Sequence, residues 1–179
     1  MTKHTIELAP TGRAKCRGCG KAIEKGTMRL GERLPNPFSD KQDMTHWFHP
    51  TCAAFKRPET WLETIVDYEG LIDSDMSTEL TEVAKNGLVH KRLSRVDGAQ
   101  RASSGRAKCR HCKETIDKGT WRISLVYYED GRFNPSGYIH PGCCAEYLGT
   151  VDVLGRVRHF SPELGEEDIV ELSGTIPST

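Results

Sequence analysis

The 179-residue chain has no apolar run near the roughly 18 residues needed to span a bilayer, so no membrane partner is expected. Its opening segment, MTKHTIELAP, has neither an apolar stretch nor a small-residue cleavage site, which argues against a secretory signal. Aromatic residues supply 7% of the chain and hydrophobic residues 36%, and the mean hydropathy is −0.55. That is too little apolar material for one well-filled core, so small units would need a further constraint. An excess of one charge is missing as well: 25 Lys and Arg balance 25 Asp and Glu. An indiscriminate polycation is excluded, but a local basic face is not.

Seven cysteines are present. An odd number without a secretory signal suggests a reducing intracellular setting (cytoplasm, nucleoid or nucleus) and metal ligation rather than disulfides. The charges are also segregated. Arg13, Lys15, Arg17, Lys21, Lys25, Arg29 and Arg33 face only Glu24 and Glu32 in their segment, while ETIVDYEGLIDSD and SPELGEEDIVEL are acidic.

The chain repeats itself. GRAKCRGCGKAIEKGTMRL (12–30) aligns without gaps on GRAKCRHCKETIDKGTWRI (105–123), with 12 of 19 positions identical. HPTC, His49 to Cys52, returns as HPGC, His140 to Cys143. Two homologous modules are expected, with the polar stretch RVDGAQRASS acting as a linker. IEKGTMRLGERL and IDKGTWRISLVYYED alternate in part around a Lys-Gly turn, as short strands do. Helices are expected to begin near Pro50 and Pro141. Acidic helices should follow in both second halves, with Ser77 or Thr78 and Ser161 as N-caps.

Cys16-x2-Cys19 is followed, after residues 20–48, by His49-x2-Cys52. Cys109-x2-Cys112 is followed, after residues 113–139, by His140-x2-Cys143. Three thiolates and one imidazole make a closed tetrahedral Zn²⁺ site, so two structural zinc ions per chain are expected and no catalytic one. Each would tie a turn to a distant helix start and supply the cohesion that the sparse core lacks. His46 lies outside the repeated HPxC register, Cys144 reads as a half-buried thiol, and His111 as a surface residue. Trp47, Trp61 and Trp121 read as packed side chains.

GRAKC-x2-C, the I-E/D-K-G-x-x-R segment, and HWFHPTC or YIHPGC together resemble the poly(ADP-ribose) polymerase-type zinc finger. That finger occurs in tandem in a DNA-damage-activated polymerase and singly in a eukaryotic DNA ligase. The resemblance implies a small antiparallel sheet with helices around zinc, and recognition of DNA ends, nicks and gaps. It places Arg13 and Arg106 at the phosphate-contacting position, with Arg29 and Arg122 as a second pair. It places Phe38 and Met44, with Pro37, where the family stacks on an exposed base pair; Phe133, with Pro135, takes that place in the second copy. The two fingers of the family are not equivalent, so unequal affinities are expected here.

The resulting expectation is an α+β chain of two homologous zinc-stabilised modules: finger one over 8–96, a linker at 97–104 and finger two over 105–173. It binds broken DNA without sequence preference, through phosphate contacts and base stacking, and has no catalytic residues and no small-molecule substrate. A repair enzyme would act in trans. A zinc-scaffolded protein–protein adaptor and an RNA-binding module are the alternatives.

Overall fold

The structure is a computed structural model that describes residues 3–36, 43–70 and 72–178. The chain divides into two units, Met1–Val89 and His90–Thr179. In the first, strands β1 (Thr5–Leu8), β2 (Met28–Leu34) and β3 (Met44–Phe48) form an antiparallel sheet in the order β1-β2-β3. Helices α1 (Pro50–Lys56), α2 (Pro58–Ile65) and α3 (Ser74–Val89) follow. In the second, β4 (Val96–Arg101), β5 (Trp121–Glu129) and β6 (Arg132–Ile139) repeat the same sheet. They lead into a 3-10 turn at Pro141–Cys143, then α4 (Cys144–Leu148), α5 (Leu154–Phe160) and α6 (Glu166–Thr175).

Strand register builds the cores. Ile6, Leu30 and Phe48 lie in one row across the first sheet and are all buried. Ala99, Ile123 and Ile139 form the equivalent buried row in the second. Full burial of a side chain such as Leu30 or Phe48 contributes about 1.5–3 kcal/mol. In the first unit α1 packs on β2, and α3 on both α1 and α2; Trp61, from α2, is wholly buried. Trp121 is likewise part of the second core.

The repeated Lys-Gly-Thr is a turn with a specific mechanism. Gly26 and Gly119 take φ of +80° and +83°, which glycine adopts without strain. Thr27 and Thr120 donate their hydroxyls to the carbonyls of Glu24 and Asp117, both at 2.7 Å.

Several expectations are corrected. The stretch 97–104 is not a linker: Val96–Arg101 is strand β4, paired along β5 as β1 is along β2. The unit boundary lies earlier, between Val89 and His90. Neither Ser77 nor Thr78 caps helix α3, which begins at Ser74, because the Asp73 carboxylate accepts from the N–H groups of Asp75 and Met76. Ser161 caps no acidic helix. It is buried, accepting from the Ala99 N–H and donating to the Ala99 carbonyl, while α6 starts after Gly165. Trp47 is not a core residue either. It is half-buried on the sheet face opposite Phe48 and lies across Gly31, where a Cβ would come within 2.7 Å of its ring.

Candidate metal centres and nucleic-acid interface

Each metal centre joins a turn to a helix start. Cys16 and Cys19 lie on a knuckle closed by the Gly20 N–H donating to the Cys16 carbonyl at 2.8 Å. Cys109 and Cys112 lie on its counterpart, closed from Lys113 to Cys109 at 3.1 Å. His49 follows the third strand of its sheet and N-caps α1, and Pro50 at the first helical position holds the backbone entry. His140 is set in the same way before Pro141. The four donor atoms of Cys16, Cys19, His49 and Cys52 all lie within 4.8 Å of one another, as do those of Cys109, Cys112, His140 and Cys143.

The donor set fits zinc. Cys19 Sγ to His49 Nδ1 and Cys112 Sγ to His140 Nδ1 are each 3.4 Å. A tetrahedral ion with ordinary Zn–S and Zn–N bonds requires an edge of about 3.6 Å. The surroundings select the ligating nitrogen: His140 Nε2 lies 3.2 Å from the Thr115 carbonyl, to which its N–H donates, leaving Nδ1 free for metal. The backbone N–H groups of His49 and His140 donate to the sulfurs of Cys16 and Cys109 at 3.3 and 3.4 Å.

Crowding of the thiols leads to the same conclusion. Hydrogen bonds from Cys16 and Cys52 hold Cys19 far below the usual thiol range, while those to Cys16 and Cys19, with burial, push Cys52 far above it. Three sulfurs so close ionise together only around a cation. The chain therefore has two Cys₃His zinc sites, with a formal charge of −1 on each filled cluster. His46 is buried on β3 opposite Glu32 and belongs to neither cluster. Cys144 is fully rather than half buried, also lies outside them, and its thiol is pushed up to about 12 by burial. His111 is exposed.

The residues expected at nucleic acid fall into three groups. Arg13 and Arg106, beside the two knuckles, are exposed and make no ion pair among the described residues. Arg29 and Arg122 are buried in matching places on the outer sheet faces, lying over the rings of Trp47 (3.5 Å) and Tyr138 (3.6 Å). Of the apolar residues, Met44 is half-buried at the start of β3 and pairs with Leu34. Phe133 is in strand β6 rather than a loop, its ring 4.7 Å from that of Tyr128, and Pro135 is in the same strand. Phe38 and Pro37 lie outside the described residues. Lys15, Arg17, Thr45 and Trp47 line a groove of about 490 Å³ beside the first knuckle.

Trp47, Tyr138, Glu7 and Gln100 flank Arg29 and Arg122, a setting that the motifs of the two arginines do not reveal. A usable signal was present: extending the ungapped repeat upstream sets Glu7 opposite Gln100, as the strand registers Glu7↔Arg29 and Gln100↔Arg122 require.

Residues 7–87 match the family described as the poly(ADP-ribose) polymerase and DNA-ligase Zn-finger region. The poly [ADP-ribose] polymerase of Drosophila melanogaster is 30% identical over 139 residues, covering 70% of this chain and 14% of that protein. Poly [ADP-ribose] polymerase 1 of Gallus gallus is 29% identical over 197 residues, covering 98% of this chain and 19% of its own length. The polynucleotide 3'-phosphatase ZDP of Arabidopsis thaliana is 28% identical over 192 residues, covering 93% of this chain and 27% of that protein. The chain thus spans between 14% and 27% of these relatives' lengths. Residues 7–87 thus belong to the poly(ADP-ribose) polymerase-type zinc-finger family, and the second unit repeats the same Cys₃His centre.

Proposed function

We propose that this chain binds DNA strand breaks, nicks or ends, without sequence preference and without catalysis in these residues, inside a reducing compartment. The observation that carries this reading is the pair Arg13 and Arg106. Both are exposed, neither has an ion-pair partner among the described residues, and each stands at the same place beside a zinc knuckle. Charge balance at the zinc clusters does not use them up, since Cys16 and Cys109 take hydrogen bonds from backbone N–H groups.

Each residue type has a distinct task in this reading. Arg13 and Arg106 grip phosphates flanking the lesion, an interaction that intact duplex offers equally. Discrimination comes from an apolar surface laid on the base pair that a break exposes, worth about 1–3 kcal/mol per stacked base. Met44, Phe38 and Phe133 are the candidates for that surface. Zinc supplies no chemistry here; bound at each Cys₃His set, it fixes the knuckle to the helix start and so aims the arginine. The relatives named as poly [ADP-ribose] polymerases and as a polynucleotide 3'-phosphatase support a role beside a DNA-repair enzyme, here acting in trans.

The test is a titration of the zinc-loaded chain against closed circular, nicked and blunt-ended duplex, with structured and single-stranded RNA alongside, at two salt concentrations. Preference for nicked and blunt DNA over closed circles is expected. Equal affinity for all three duplexes, or tighter RNA binding, would sink the break-binding reading. No binding to any nucleic acid would favour a zinc-scaffolded protein adaptor.

A further inference from the structure

The two outer sheet faces are built on one plan, with an electrostatic difference beside the stacked arginine. In the first unit Arg29 lies over Trp47 and is held by Glu7, its cross-strand neighbour, with Nε and Nη2 at 3.1 and 2.5 Å from the same carboxylate oxygen. In the second, Arg122 lies over Tyr138 in the same way, but its cross-strand neighbour is Gln100. The Gln100 amide is turned away, donating to Ser124 at 3.2 Å. Arg122 is 6% exposed, and its Nε is buried with no hydrogen-bond partner. No ion pair reaches Arg122 among the described residues.

We propose that Glu7 is an internal phosphate mimic that closes the anion site at Arg29, and that Gln100 in its place leaves the matching site at Arg122 open to a backbone phosphate. The exchange of one carboxylate for an amide thereby sets the two fingers unequal. A buried guanidinium without a counter-ion carries a desolvation cost that an arriving anion relieves. A phosphate meets Nε and an outer nitrogen at once, the forked geometry that Glu7 occupies at Arg29. Aromatic stacking keeps the fork planar and aimed in both units. Glu7 is 41% exposed, so its ion pair is partly screened and weakens the first site without abolishing it.

The proposal builds on the DNA-binding reading, and its test separates the two. The zinc-loaded chain and its Glu7→Gln and Gln100→Glu variants are titrated with inorganic phosphate. The side-chain Nε–Hε resonances of Arg29 and Arg122, assigned with Arg→Lys variants, are followed. In the parent Arg122 should respond strongly and Arg29 much less; Glu7→Gln should raise the Arg29 response, and Gln100→Glu should lower that of Arg122. An Arg29 response equal to that of Arg122 in the parent, or responses that neither variant moves, would overturn the proposal. In a parallel titration with nicked duplex, Glu7→Gln should tighten binding and Gln100→Glu weaken it, each by about three- to tenfold. Unchanged affinities in both variants, where the parent binds, would equally overturn it. A parent that binds no duplex ends the break-binding reading, while the phosphate titration still decides the fate of Glu7 and Gln100.

Discussion

The guanidinium of Arg57 holds the carboxylate of Glu32 at 2.6 Å, and the hydroxyl of Thr60 donates to the same oxygen at 2.8 Å. Glu32 stands in the middle strand of the first sheet and is 1% exposed, so the ion pair ties β2 to the start of α2 from inside the unit. The repeat sets Leu125, also buried, at the corresponding place in the second unit.

Removing one partner of such a pair strands a charge. Arg57→Met is therefore expected to destabilise the first unit by about 3–5 kcal/mol. Glu32→Leu together with Arg57→Met should recover much of that loss, as Leu125 suggests. Denaturant unfolding of the zinc-loaded variants measures both, and zinc content should remain two ions per chain.

Zinc removal should unfold both units, because the metal joins segments that the small cores do not hold alone. The order is expected to be unequal. Cys112 is exposed and Cys143 half-buried in the second site, whereas Cys16 and Cys52 are buried in the first. A chelator titration followed by a colorimetric zinc dye should show the second site emptying faster, with Cys112→Ser removing the fast phase. Acid should act in the same direction, since protons compete with zinc for thiolates, and stability should fall as pH falls. A single phase in the parent would contradict the assigned asymmetry.

Gly31 sits under Trp47, and its replacement by Ala forces the indole to move, because the new Cβ would lie 2.7 Å from it. A cost of about 1–3 kcal/mol is expected from this overpacking. Trp47 should also leave Arg29, which it now faces at 3.5 Å. Tryptophan fluorescence and near-UV circular dichroism report the displacement, while far-UV signals should hardly change.

Arg13→Ala and Arg106→Ala should each weaken duplex binding and lower the slope of log affinity against log salt by about one. Neither should change the melting temperature appreciably, since both side chains are exposed and unpaired among the described residues. A loss of affinity with no change in salt slope would remove these arginines from the phosphate contacts.

The ligand chemistry was legible in the sequence because zinc demands fixed donor types at short spacings, and the repeat displayed both sets twice. The Lys-Gly-Thr turns were legible for a similarly local reason. Strands β1 and β4 were not, since TIEL alternates over only four residues and VDGAQR hardly at all, and both owe their conformation to pairing with β2 and β5. The fate of Arg29 and Arg122 was hidden in the same way. Whether an arginine meets a carboxylate is decided across strands, by Glu7 or by Gln100, and not by its own motif.

The near-identity of the two zinc motifs has a cost during folding. His49 and Cys52 follow the first cysteine pair, but they also lie within reach of the second pair, and His140 and Cys143 offer the first pair a false completion. Closing the long false loop is disfavoured by only about 1 kcal/mol relative to the native one. Ligand identity therefore cannot sort the halves. Sorting falls to the buried rows that differ between them, Ile6–Leu30–Phe48 on one side and Ala99–Ile123–Ile139 on the other. Because these rows are mismatched in volume, a crossed site would sit over a core that does not fill.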